Sequence, residues 1–252
     1  MGKSGCHRRA QRAAYRSGAF LRDDSPSRHV NTQPPRPKLW LPADRVSPSN
    51  DAAPTGPDGA VFSATTPAAI TKEFALHVLF VCTGNICRSP TAERLASAYA
   101  SEMHIAGFSA SSAGTNAVIG HPMHAEAALV LQQLGGDPAE FAARQLTAKI
   151  ASSADLILTM TAKHRDRVLE LSPPKLNRTF TLTEASRLAS DFGAESIADL
   201  ASLRPQLSGQ DRPDVPDPIG QSTEVFEAIG TQIAELLLPI VNLCRPDQID
   251  RQ

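Results

Sequence analysis

The residues best suited to covalent chemistry lie in one stretch, Val81-Cys82-Thr83-Gly84-Asn85-Ile86-Cys87-Arg88-Ser89-Pro90. A thiol closes an apolar run, five residues separate it from an arginine, and a proline-containing helix start follows. That arrangement meets the demands of phosphoryl transfer to sulfur. The intervening residues can curl so that successive amides point inward as an anion nest, and Gly84 and Asn85 tolerate the positive φ this needs. A helix N-terminus beyond the loop adds partial positive charge. Arg88 can grip two phosphoryl oxygens with its fork, which a lysine cannot. The same field favours a thiolate at Cys82, and Ser89 can donate a hydrogen bond to it.

The elements around this loop read as strand, loop and helix in repetition. Leu76–Cys82 is an apolar run expected as a buried parallel strand, so Cys82 sits at its carboxyl end. A helix is expected from Pro90, with proline in a tolerated first-turn position. Phe108–Ser112, Asp155–Met160 and Thr179–Thr183 are the other strands. Met123–Leu134 reads as a helix stopped by Gly135-Gly136, and another runs to Leu171 before Pro173-Pro174. Helices are also expected at Glu184–Asp191, Glu195–Leu203 and Ser222–Cys244. The fold class implied is α/β: a doubly wound four-stranded parallel sheet with helices on both faces.

Composition divides the chain. Residues 1–73 hold nine of the twenty prolines and a formal charge of +5, without sustained apolar periodicity; residues 74–252 carry −6. The first part reads as a disordered Pro/Arg/Ser-rich tail, the second as one folded domain. A net-acidic domain argues against nucleic acid as a partner. The cysteines, Cys6, Cys82, Cys87 and Cys244, fit neither a zinc site nor a disulfide scaffold, which points to a reducing cytoplasm. No apolar run is long enough for a membrane span: Ile233–Leu243 is interrupted by Pro239 and reads as a core-facing helix. His121 and His124 lack acidic or thiol companions, so turn and helix-start roles are expected and no metal site. His77 reads as a satisfied edge or core residue.

Val81–Glu93, VCTGNICRSPTAE, resembles the loop of the low-molecular-weight protein tyrosine phosphatases. Further matches follow in order: Ser112-Ala-Gly-Thr115, Ala143-Arg-Gln-Leu-Thr147, Asp155–Met160 with His164-Arg165, and Asp217-Pro218. The resemblance implies a phosphatase that hydrolyses phosphotyrosine or aryl phosphate on phosphorylated proteins through a phosphocysteine intermediate, without cofactor. It assigns Cys82, Arg88 and Asp217 to catalysis, with Thr83, Gly84, Asn85, Ile86, Cys87 and Ser89 forming the phosphate-binding loop. Asp217 is then the general acid and later the base; standing before Pro218 favours it over Asp211 and Asp214. Asn85 would bond across the loop, with Ser112 in support. Cys87 is either a partner that traps an oxidised Cys82 as a reversible disulfide or a small buried hydrophobe.

Two positions depart from the family pattern. A histidine often buttressing the loop asparagine is replaced by Phe141, so the support must differ. Aromatic residues often found after the Asp-Pro are replaced by Ile219 and Gly220, which removes a stacking partner for a phosphotyrosine ring. Three alternatives remain: a protein arginine phosphatase, disfavoured by the apolar wall of Ile86; an arsenate reductase, which needs more relay cysteines; and an inactive phosphate-binding module. The sequence leaves the oligomeric state open.

Overall fold

The computed structural model describes residues 75–208 and 213–245. The tail expected over 1–73 and the acid Asp211 lie outside the described residues.

Four parallel strands form one sheet in the order β2-β1-β3-β4: β1 (Leu76–Cys82), β2 (Phe108–Gly114), β3 (Leu156–Thr159) and β4 (Thr179–Thr181). Side-chain alternation along β1 explains the two layers. Leu76, Val78, Phe80 and Cys82 face a core shared with α1 (Arg88–Glu102), α2 (Ala125–Gln133), α5 (Leu182–Ser190), α6 (Ile197–Leu203) and α7 (Thr223–Leu243). Leu79 and Val81 face a smaller core closed by α3 (Ala148–Ser153) and α4 (Ala162–Leu171). Helices therefore cover both faces, as expected. The chain leaves β1 for β2 on one side and meets β3 on the other, so the carboxyl end of β1 is the switch point where such sheets bind ligands.

Several boundaries differ from the sequence expectation. α1 begins at Arg88, two residues before Pro90, because Cys87 already holds the N-cap position. β2 runs on to Gly114, which pairs with Cys82. α2 starts at Ala125, after His124, and closes with amides of Gly135 and Gly136 bonded to the carbonyls of Gln132 and Leu131. α3 was not expected; Thr147 caps it by accepting from the Ile150 amide. β4 ends at Thr181, because Thr181 and Glu184 form a reciprocal capping box that starts α5 at Leu182. Ser196 and Asp199 cap α6 in the same way, moving its start from Glu195 to Ile197. Pro239 lies within α7 without ending it.

Candidate active site

Residues 83–87 join β1 to α1, and five carbonyls from Cys82 to Cys87 are bonded to the segments around the loop. The amides of Thr115, Asn116, Val118 and His124 donate to the carbonyls of Cys82, Thr83, Gly84 and Ile86 at 2.9, 3.0, 3.0 and 2.7 Å. Thr91 donates to the Cys87 carbonyl through both its amide and its hydroxyl. In a trans peptide the carbonyl and the next amide point in opposite directions. The amides of Thr83, Gly84, Asn85, Cys87 and Arg88 therefore point away from the partners of those carbonyls. Asn85 supplies the turn with φ +54°. Gly114 allows the close approach, since a Cβ there would stand 2.4 Å from the Thr83 carbonyl oxygen. α1 has neither a side-chain cap nor an acid in its first turn, so its N-terminal field is left for an anion in the loop.

Polar side chains under the loop form a directed network. Asn85 is fully buried; its Oδ1 accepts from the Arg144 amide at 2.9 Å. Its Nδ2 donates to Ser89 Oγ at 2.9 Å and Ser112 Oγ at 2.7 Å. Ser112 passes its own hydrogen to Glu93 Oε2 at 2.6 Å, while Arg144 Nε donates to the Ser112 carbonyl. Ser89 Oγ, which accepts from Asn85, lies 3.0 Å from Cys82 Sγ, so its hydrogen is available to a Cys82 thiolate. Burial pushes the Glu93 carboxyl above its ordinary range, opposed by the Ser112 hydrogen bond. Phe141 does not join this network: its ring lies 5.8 Å from the Arg94 guanidinium carbon.

Arg88 is 4% exposed and reaches across to the segment before α7. It donates to the Val215 carbonyl at 3.0 Å and to Asp217 Oδ2 at 2.5 Å, whereas the Asp217 side chain is 48% exposed. The segment is anchored by the Val215 amide on the Met160 carbonyl and by Asp214, which accepts from the Ala162 amide. Asp214 thus caps α4, and Asp217 is the acid that meets Arg88.

Cys87 faces an apolar pocket of Thr91, Ala127, Val130, Phe226 and Ile233. Burial first, then the neighbouring Cys82, pushes its thiol up to about 12. Ile86 and Val118 stand beside Gly84, and Val118 and Ile119 are exposed near the loop; Ile219 is exposed beyond Asp217. His77 is satisfied by Ser111 and Ser153. His124 stacks on Phe226, with ring centroids 4.9 Å apart. Among the described residues no cluster could hold a metal ion, and no helix is long and apolar enough to cross a membrane.

Sequence reasoning gave no role to His164. It is buried under the loop, with Nε2 2.9 Å from Thr83 Oγ1 and Nδ1 2.9 Å from Thr161 Oγ1. Two signals were available: His164-Arg165 stands among the family matches, and Thr161-x-x-His164 opens α4.

A comparison with protein-family models matches residues 77–245 to the family described as low molecular weight phosphotyrosine protein phosphatase. The chain belongs to this family. It is 41% identical over 102 residues to the probable low molecular weight protein-tyrosine-phosphatase AmsI of Erwinia amylovora, covering 40% of this chain and 67% of that protein. It is 31% identical over 161 residues to the protein-arginine-phosphatase of Geobacillus stearothermophilus, covering 64% and 90%. The crystal structure of the low molecular weight protein tyrosine phosphatase from T. tengcongensis superposes with a TM-score of 0.54 at 30% identity, over 66% of this chain and 98% of that one.

Proposed function

We propose that the protein hydrolyses phosphotyrosine, or another aryl phosphate, on phosphorylated proteins of the cytoplasm through a phosphocysteine at Cys82. The observation that carries this is the cradle itself: outward-bonded carbonyls, inward amides, Cys82 at its base and the Arg88 guanidinium at its wall. The Cys82 thiolate attacks phosphorus as the bond to the leaving oxygen breaks. Inward amides and the Arg88 fork take up the negative charge on the phosphoryl oxygens. Entry of that group gives Arg88 a better partner than Asp217, whose freed, half-exposed carboxylate takes a proton from solvent and passes it to the leaving oxygen. Asp217 then takes a proton from water as the water attacks phosphorus and the P–S bond breaks, returning thiolate and phosphate.

The aliphatic residues Ile86, Val118, Ile119 and Ile219 suit an aryl ring by apolar contact and offer no acceptor to a guanidinium. A second reading, hydrolysis of phosphoarginine, is favoured by the similarity to the Geobacillus stearothermophilus protein. Phosphotyrosine, phosphoarginine and phosphoserine peptides offered to the purified protein separate the two. Turnover of phosphotyrosine, abolished by Cys82→Ser, is expected; exclusive turnover of phosphoarginine overturns the first reading. In a series of aryl phosphates, Asp217→Asn should lose most activity on the poorest leaving groups, and Asp214→Asn should not. A steeper dependence in Asp214→Asn instead would assign the acid to the wrong residue.

A further inference from the structure

His164 touches the hydroxyl groups of two segments that must act together. Thr83 follows Cys82 in the loop. Thr161 caps α4, and the next residue, Ala162, donates its amide to Asp214, three residues before Asp217. One tautomer of His164 gives both ring nitrogens and the Thr161 hydroxyl hydrogen a partner within this cluster. Thr161 Oγ1 accepts from the His164 amide at 3.2 Å, and its own hydrogen is satisfied by donation to Nδ1. Nδ1 is then an acceptor, and Nε2–H donates to Thr83 Oγ1.

We infer that His164 is a positioning residue that, as a neutral imidazole protonated at Nε2, ties the Cys82 loop to the segment carrying Asp217. The inference rests on the phosphatase reading above. The surroundings keep the ring uncharged. Burial and then the Arg88 guanidinium push its pKa down to about 4, opposed by Asp214 and Asp217, the other charged groups that face it. With the ring in place, Thr83 and the start of α4 hold a fixed separation. Without it, the loop and the acid segment remain joined through the backbone of Val215, Met160 and Val81 and through Arg88, a residue that must let go of Asp217 when a phosphoryl group binds.

The test compares His164→Leu, His164→Gln, Thr83→Val and the double variant His164→Leu/Thr83→Val. Two rates are read: kcat/KM over aryl phosphates of graded leaving group, and alkylation of Cys82 by iodoacetamide at pH 7. His164→Leu should lose roughly tenfold in kcat/KM, the size of one hydrogen bond, with a steeper dependence on the leaving group as Asp217 drifts. Alkylation should slow in both single variants. The double variant should be no worse than the worse single one, because both cut the same link. His164→Gln, which keeps a donor toward Thr83, should recover most of the loss. Additive losses, or an unchanged leaving-group dependence in folded His164→Leu, overturn the inference. If His164→Leu does not fold, Thr83→Val decides alone, and a wild-type leaving-group dependence there overturns it. Alkylation needs no substrate: if no phosphorylated peptide is turned over, the phosphatase reading falls, while non-additive alkylation still supports the link and additive alkylation still refutes it.

Discussion

Replacing Asn85 by Asp changes one nitrogen to oxygen and reverses the hydrogen-bond network under the loop. In the wild type Nδ2 fills a lone pair on Ser89 Oγ, which leaves the Ser89 hydrogen available to a Cys82 thiolate. A carboxylate donates nothing, so the Ser89 hydrogen turns to it and the sulfur loses its donor. A hydrogen bond to a charged group contributes about 1.5–3 kcal/mol, on the order of 10- to 150-fold in an equilibrium. Asn85→Ala acts differently. It leaves the Ser89 hydrogen available to Cys82, but it orphans the Arg144 amide at about 1–3 kcal/mol and puts a non-glycine residue without a side-chain hydrogen bond at φ +54°, at about 1–2 kcal/mol. The two variants should therefore rank oppositely. Asn85→Ala loses more stability, read as a denaturant midpoint. Asn85→Asp loses more reactivity, read as the iodoacetamide alkylation rate of Cys82 at pH 7 with folding checked by circular dichroism. If folded Asn85→Asp alkylates as fast as Asn85→Ala, the donor chain through Ser89 is not what sets the reactivity of Cys82.

Three further outcomes are expected. Iodoacetamide at pH 7 should modify Cys82 and spare Cys87, whose thiol is pushed up to about 12 by burial; mass spectrometry showing Cys87 modified first would contradict this. Arg204→Ala should destabilise by about 3–5 kcal/mol, because Arg204 Nε lies 3.0 Å from the carboxylate of fully buried Glu184 and its guanidinium covers Phe180; a loss below about 1 kcal/mol in urea unfolding would refute the pairing. His164 binds a proton at about 4 when folded and near 6.5 when unfolded, so the unfolded chain takes up the proton first and stability falls as pH drops through that window. The raised Glu93 carboxyl acts in the opposite sense above about 4.5, so the check is a difference: the stability advantage of wild type over His164→Gln should shrink from pH 6.5 to 4.

Much of the frame was legible because it rests on local pattern. β1 begins and ends where its apolar run does, and Gly135-Gly136 marks the end of α2. Boundary errors arose where capping competed with propensity. The Thr181-x-x-Glu184 box was present in the sequence, yet the β-branched run through Thr183 read as strand. α3 has only six residues, too few to show a helical period. The loop residues were readable as a group, since thiol, glycine, asparagine, arginine and serine sit within eight positions. Contacts made at long range were not. Arg88 meets Asp217 across 129 positions, and Thr83 meets His164 across 81; no spacing rule connects either pair. The clamp of residues 115–124 on the loop carbonyls uses backbone amides, which almost any sequence supplies.

The departure at Phe141 shows how such backbone groups substitute for a side chain. A buttress for Asn85 has to decide which way its amide faces, because that choice sets every hydrogen downstream. Here the Arg144 amide donates to Oδ1, which commits Nδ2 to the two serine hydroxyls. Each hydroxyl, having accepted, keeps its hydrogen for an onward bond: Ser112 gives it to Glu93, and Ser89 has it available for Cys82. One end of the chain is the Glu93 side chain and the other is Cys82, joined without any ionisable group at position 141. Arg144 is itself fixed by Nε on the Ser112 carbonyl, so the amide that sets the direction is tied to the strand that receives it. Phe141 is then free to pack against Arg94, the neighbour of Glu93, at no loss to the loop.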